Sequence, residues 1–281
     1  VNLALEVLGR RADGYHEVRT ILQRVALHDT LRARLARRLT LRTGHAALQA
    51  DNLILRAAEA LRAAHPDATA AGAQLSLRKR IPVAAGLGGG SSDAATALRL
   101  LCRLWALALT DDALAAIAAR LGSDVPFFLG GPTALASSRG EELTPLPPPA
   151  SAWLVIVVPR LTLADKTRRM YAALTPDDFS DGGRVAAVQA GLAAGQPLHR
   201  LPLWNTFSAV ARRLFPEAAA AERALYDAGA TTACLCGAGP AWFAPCPTRA
   251  AAGRIVAALR RRGWTAFATW TEDGRRTTET R

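Results

Sequence analysis

Lysine is almost missing from this chain. It occurs only at positions 79 and 166, so nearly all the positive charge behind the formal net charge of +12 is arginine. Such a balance ordinarily points to nucleic acid or another polyanion. Here the arginines are spread along an alanine-crowded chain, Arg260, Arg261 and Arg262 form the only run of three, and no aromatics interleave with them to stack bases. A compositional bias accounts for the charge, and no nucleic-acid partner is expected. Cysteine is scarce as well. Cys102, Cys234, Cys236 and Cys246 have neither C-x-x-C spacing nor a neighbouring histidine pair, which excludes a structural zinc site and predicts reduced, mostly buried thiols. Long apolar runs are absent too. The longest, residues 152–158, is far short of the roughly 20 residues that cross a bilayer, and nothing at the amino end resembles a signal peptide. The expectation is a cytoplasmic protein with no membrane partner.

What is present is a chain of 281 residues, half of them hydrophobic, enough for one large domain or two ordinary ones with a buried core. Residues 1–8 alternate and turn at 9–14, and a β-rich stretch covers 16–41. A helix starts at Asn52, with Leu53, Ala57, Ala60 and Leu61 at helical spacing, and Pro66 closes it. A strand at 73–79 leads through Pro82 into a glycine-rich loop. Beyond the loop, Ala94, Leu98, Leu101, Cys102 and Trp105 share one helix face, and a second helix covers 111–121. The prolines at 145, 147, 148 and 149 predict a boundary, giving domains 1–150 and 151–281. The second half opens with a strand at 153–158. It continues through helices near 166–174, 185–193, 207–214 and 217–228, and closes as strand, turn, strand, helix and strand. Helices and strands mix without regular alternation, which predicts an α+β fold.

The loop Pro82-Val83-Ala84-Ala85-Gly86-Leu87-Gly88-Gly89-Gly90-Ser91-Ser92-Asp93 sits between a strand and a helix. Glycines let backbone approach an anion, and free amides at a helix start bind phosphate. Ser91 and Ser92 either cap the helix or offer hydroxyls to phosphate and magnesium. The loop is not a Walker A loop, because Ser91 and not lysine follows Gly90; nor is it the dinucleotide pattern, whose third glycine is replaced by Ser91.

The pattern P-x-x-x-G-L-G-x-x-S-S resembles the central phosphate loop of the GHMP kinases. Asn2-Leu3-Ala4-Leu5, Arg11-Ala12-Asp13-Gly14-Tyr15-His16, Asp51-Asn52-Leu53-Ile54, Lys79-Arg80-Ile81-Pro82 and Gly122-Ser123-Asp124-Val125-Pro126-Phe127-Phe128 are similar to further segments of that family, in the family's order. The triple glycine resembles the branch whose acceptor is a cytidine diphosphate derivative of methylerythritol. The resemblance implies a two-domain GHMP kinase fold, with a ribosomal-S5-like amino-terminal domain, a ferredoxin-like carboxyl-terminal domain and the nucleotide bound between them. It implies ATP with Mg2+ as the phosphate donor, and a small-molecule alcohol as acceptor.

The same resemblance assigns residues. Asp124 is the implied catalytic base, although between a helix and an apolar run it equally shapes a turn. Asn52, Lys79, Pro82, Gly86, Leu87, Gly88, Gly89, Gly90, Ser91 and Ser92 are implied to bind the nucleotide, with Ser91 and Ser92 also on the metal. Asn52 is at the same time a good helix cap, and Lys79 an ordinary strand-end lysine. Asn2, Tyr15, His16 and Tyr171 are implied on the substrate side, Tyr15 stacking on cytosine and His16 bonding its edge. The segment Leu235-Cys236-Gly237-Ala238-Gly239-Pro240 resembles the third family motif, with Cys236 and Ala238 where hydroxyl residues are more usual. The family carries a lysine just ahead of the segment matching Asn2-Leu3, and the expectation is that such a residue precedes Val1. The nearest rival reading is a kinase of the mevalonate or homoserine class, against which the Tyr15-His16 pair argues. A non-catalytic RNA-binding protein of the same fold is the rival from another class, and Asp124 with the intact loop argues against it.

Overall fold

The computed structural model describes residues 1–45, 52–65, 72–161 and 165–274. They divide into two compact units. The first holds the described residues of 1–26, 84–87 and 131 onward; the second holds those of 27–83 and 88–130. The division differs from the expected break at 150. Strand pairing supplies the reason, because strands from before and after residue 150 share one sheet.

In the first unit, β1 (Asn2–Arg10) lies between β2 (His16–Gln23), antiparallel to it, and the short β9 (Trp204–Asn205), parallel to it. Beyond β2 come β6 (Thr133–Ser137) and β7 (Glu142–Pro145), completing a five-stranded sheet in the order β7-β6-β2-β1-β9. The expected linker therefore begins as an edge strand, with Pro145 opposite Ala134, at a position where a missing N–H costs no inner ladder bond. A second sheet in the same unit has the order β10-β11-β8-β12, from Cys234–Leu235, Trp242–Cys246, Trp153–Val158 and Thr265–Trp270 respectively. Its central strand β8 is an unbroken apolar run with Leu154 to Val157 fully buried, as burial on both faces requires. Helices α5 (Lys166–Ala172), α6 (Gly183–Ala193), α7 (Phe207–Leu214), α8 (Pro216–Asp227) and α9 (Arg249–Arg261) complete the unit. Its core gathers Leu5, Val7, Val155, Phe207, Leu225 and Trp242.

The second unit is a three-stranded sheet with helices on one side. Its order is β3-β5-β4, from Thr30–Ala36, Gly72–Arg78 and Thr40–Thr43. Strand β3 alternates between exposed and half-buried residues over most of its length, as a strand with one solvated face should. Helix α1 (Leu53–Ala64) is capped by Asn52, whose Oδ1 accepts from the Ile54 amide at 2.9 Å, and turns Ile54, Ala57, Ala58 and Leu61 inward. Pro66, expected to close it, and Asp51 lie outside the described residues. Helix α2 (Gly89–Leu104) buries Ala94, Leu98 and Leu101 as its spacing predicted, and Trp105 follows buried at its end, while Cys102 is half-buried. Helix α3 (Asp111–Leu121) and the one-turn α4 (Val125–Leu129) finish the unit. Among the described residues no helix is long and apolar enough to cross a membrane.

Candidate active site

The glycine-rich loop crosses from the first unit to the second between Leu87 and Gly88. On the second-unit side Gly88 is the N-cap of α2 in a left-handed conformation, φ 67°. A β-carbon there would come within 3.0 Å of the Phe128 ring, so only glycine fits both the angle and the space. The first intrahelical bond runs from the Ser92 amide to the Gly88 carbonyl, which leaves the Gly89, Gly90 and Ser91 amides unclaimed by the helix. Ser91 and Ser92 do not cap it. They lie inside its first turn, half-exposed, because the helix is capped at Gly88, ahead of both serines. Leu53 lies 3.6 Å from the position of a Gly90 β-carbon, so the Asn52 cap of α1 is brought beside the loop.

Lys79 takes up a different place from a free strand-end lysine. Its Nζ is buried against Asp29 Oδ2 at 2.5 Å and Asp93 Oδ2 at 2.9 Å, directly beneath Gly89. Asp29 also accepts from the Arg80 and Ile81 amides, fixing the backbone just ahead of half-exposed Pro82. Burial pushes the Asp93 carboxyl well above its ordinary range, with Lys79 opposing and Asp29 adding to the rise. Neither aspartate was marked by the sequence as a site residue. Asp124 stands exposed at the start of α4, and its side chain makes no capping bond. Phe128, one helical turn further on, is the residue that abuts Gly88, so the packing of α4 brings the Asp124 turn alongside the phosphate helix. Although Asp124 keeps a solvent-accessible surface, protein atoms crowd around its carboxyl, and the resulting desolvation raises it above its usual value while a hydrogen bond from Ser123 opposes the rise.

On the first-unit side, residues 84–87 are docked against the turn at 236–240. A β-carbon on Gly86, φ 81°, would lie 2.3 Å from the Cys236 carbonyl oxygen and 2.5 Å from that of Gly239. Half-buried Leu87 follows it. Asn2 is buried and accepts from the Gly237 amide at 2.9 Å while donating to Thr20 at 2.9 Å; Asn205 donates to the Leu235 and Gly237 carbonyls, both at 2.8 Å. Asn2 thus holds the turn and does not extend outward from it. Side chains from β1 and β9 supply the bonds that Cys236 and Ala238 cannot. Cys234, Cys236 and Cys246 are buried free thiols, and burial pushes Cys236 up to about 12.

A separate aromatic group lies in the same unit. His16, at the start of β2, has its ring centroid 5.0 Å from that of Tyr171 on α5 and 6.1 Å from that of Phe179. Tyr171 meets Phe207 edge-on at 4.8 Å. Tyr15, 58% exposed at the β1–β2 turn, carries the Arg139 guanidinium over its ring at 5.0 Å. Burial, with Arg10 adding, lowers the His16 pKa and favours the neutral ring. Tyr15, His16 and Tyr171 were legible in the sequence. Phe179 and Arg139 were not, since no motif surrounds them.

Two family models match the chain: the GHMP kinases N terminal domain over residues 52–132 and the GHMP kinases C terminal domain over residues 187–264. A 4-diphosphocytidyl-2-C-methyl-D-erythritol kinase of Symbiobacterium thermophilum is 41% identical, covering 92% of this chain and 93% of that protein. One of Dehalococcoides mccartyi is 39% identical, covering 95% and 94%. A crystal structure of a 4-(cytidine 5'-diphospho)-2C-methyl-D-erythritol kinase superposes with a TM-score of 0.85 at 36% identity, covering 98% of this chain and 97% of that one. A mevalonate kinase of L. major, solved with R-mevalonate, shares the fold alone, at TM-score 0.64 and 16% identity over 92% of this chain and 89% of its own.

Proposed function

This chain belongs to the GHMP kinases, and on that premise we propose that it transfers the terminal phosphoryl group of ATP to the 2-hydroxyl of 4-diphosphocytidyl-2-C-methyl-D-erythritol, a step of the non-mevalonate route to isoprenoid precursors. The observation that carries the substrate is the His16–Tyr171 pair at 5.0 Å with Tyr15 beside it. Aromatic faces stack on a planar pyrimidine. A neutral imidazole accepts a hydrogen bond from an amino group on one nitrogen and donates from the other. Cytosine offers an amino donor where uracil offers a carbonyl, so this edge separates the two bases.

The donor side follows from the loop. The amides of Gly89, Gly90 and Ser91, at the positive end of a 16-residue helix, suit the polyphosphate of ATP. Asn52 and Leu53, beside the loop, suit contact with the rest of the nucleotide, and Lys79 acts from beneath, holding the loop on Asp29 and Asp93. Among the described residues no cluster of histidine, cysteine or carboxylate groups forms a metal cage. The half-exposed hydroxyls of Ser91 and Ser92 would help hold a magnesium ion brought in with the nucleotide. Bound there, it would supply neutralisation of phosphate charge during transfer. Asp124 takes the proton from the acceptor hydroxyl as the phosphoryl group moves, because a neutral alcohol is a weak nucleophile. Transfer is direct, with no covalent enzyme intermediate.

The test is phosphate transfer from ATP to a panel of acceptors: the cytidine substrate, its uridine analogue, mevalonate and homoserine. Turnover confined to the cytidine compound is the expected result. Equal use of the uridine analogue would remove base readout by His16, and turnover of mevalonate or homoserine would overturn the substrate.

A further inference from the structure

Lys166 is one of the two lysines in the chain, and the proposed mechanism gives it no part. Its Nζ donates to the Ala84 carbonyl at 3.1 Å and to the Gly239 carbonyl. Those carbonyls belong to the first residues of the phosphate loop and to the turn on which they are docked. Ala84 is held left-handed, φ 57°, a region that a β-carbon disfavours. The next carbonyl, of Ala85, accepts from the Ala241 amide at 3.1 Å.

Two consecutive carbonyls of the loop are therefore turned the same way, toward Lys166 and the 239–241 turn. In a trans peptide the C=O and N–H point in opposite directions. Turning the Ala84 and Ala85 carbonyls inward turns the Ala85 and Gly86 amides outward. The ammonium also offsets the partial negative charge of carbonyl oxygens that would repel a polyphosphate. Most of Lys166 is withdrawn from water, and burial lowers its pKa to about 8. A lysine in that position is sustained by the carbonyls it binds, since a buried ammonium without acceptors is costly.

We propose that Lys166 is a positioning residue of the phosphate loop, clamping the Ala84 and Gly239 carbonyls so that the Ala85 and Gly86 amides face the ATP phosphates. The inference rests on the reading that this loop binds ATP. Lys166 acts on nucleotide binding and leaves the chemical step to other groups.

The experiment uses the full chain with ATP and magnesium, measuring ATP affinity by equilibrium titration and kcat and both KM values by transfer to the cytidine substrate. Lys166→Met should weaken ATP binding roughly tenfold, as loss of charge-assisted hydrogen bonds does. Its kcat and its KM for the cytidine substrate should stay within about twofold of native, the signature of lost ground-state binding. Glycine adopts left-handed backbone without a side-chain hold, so Ala84→Gly added to Lys166→Met should bring ATP affinity back to within about threefold of native. An unchanged ATP affinity in Lys166→Met overturns the proposal, as does a loss confined to kcat or the absence of recovery in the double variant. Should Lys166→Met not fold, Lys166→Gln, with one donor for two carbonyls, takes its place; a smaller rise in the ATP constant supports the clamp, and no rise overturns it. Gly88→Val tests the underlying reading separately. If it binds ATP normally the loop assignment fails, whereas loss in Gly88→Val with none in Lys166→Met removes Lys166 alone.

Discussion

Asp124 and His16 are the two side chains whose ionisation matters most to the proposed reaction, and their surroundings shift them in opposite directions. The Asp124 carboxyl is raised by desolvation. A general base must be deprotonated, so kcat should fall with decreasing pH at a higher pH than an ordinary aspartate would impose. Asp124→Asn should lower kcat by about 10²- to 10⁴-fold, remove that acid limb and leave the melting temperature near native. A turn-shaping role would instead lower the melting temperature and spare kcat. His16 is lowered by burial, so its neutral ring persists to lower pH than a free imidazole. Affinity for the cytidine substrate should hold through the ordinary histidine range and decline only below it, as the ring becomes protonated and loses its acceptor. His16→Ala should raise the KM for that substrate while ATP affinity stays near native. A loss of ATP affinity of the same size would remove His16 from base readout.

Elements place these side chains, and two of the connections between elements are fragile. The Gly86 backbone is pressed against the 236–240 turn, so Gly86→Ala meets carbonyl oxygens at 2.3 and 2.5 Å in a left-handed backbone. That substitution should cost about 2 kcal/mol or more in denaturant unfolding, and ATP affinity with it. A native-like unfolding midpoint would mean that the loop does not dock there. The second connection is the segment between α5 and α6 that carries Phe179 to His16. Asp178 caps it from within, accepting from the Thr175 amide at 2.9 Å and from Arg213 on α7 at 2.9 and 3.0 Å. These bonds hold Asp178 down to about 2, against 3.8 as its ordinary value, Arg213 contributing most. Because the folded value lies below the unfolded one, the stabilisation is present above about pH 4 and is lost as pH falls toward about 2. Arg213 is half-exposed, so solvent screening limits the contribution to about 1 kcal/mol. Asp178→Asn should lower the neutral-pH melting temperature by a few degrees and flatten the acid side of the stability curve. An unchanged acid transition would rule the clamp out.

At the scale of the whole molecule, the +12 net charge, compositional in origin, should still attract ligands that are themselves anionic. Both ATP and a cytidine diphosphate derivative should be drawn in by it, with association rates falling about threefold or more as the Debye length shrinks from about 10 Å at 0.1 M salt to about 3 Å at 1 M. Rates indifferent to salt would mean that the arginine excess draws in neither ligand. The sequence by itself determined the element types, because each is written locally: Asn52 capping four inward residues of α1, the apolar run of β8, the glycine run between a strand and the helix it opens. Asp124, Tyr15, His16 and Tyr171 became candidates through the resemblance of their surroundings to segments of the GHMP kinases, since the residues alone equally allow structural roles. Only the tertiary structure decided that the units divide elsewhere than at the prolines, since β1 pairs with β9 across some two hundred residues and no local pattern encodes that partner. It alone joined Asp29 to Lys79 and Asp93, Asn2 to Gly237, and Lys166 to Ala84. Hydrogen bonds and buried ion pairs act over about 3 Å in space, whatever the separation in sequence, so the groups that hold an active site become visible only when the chain has closed on itself.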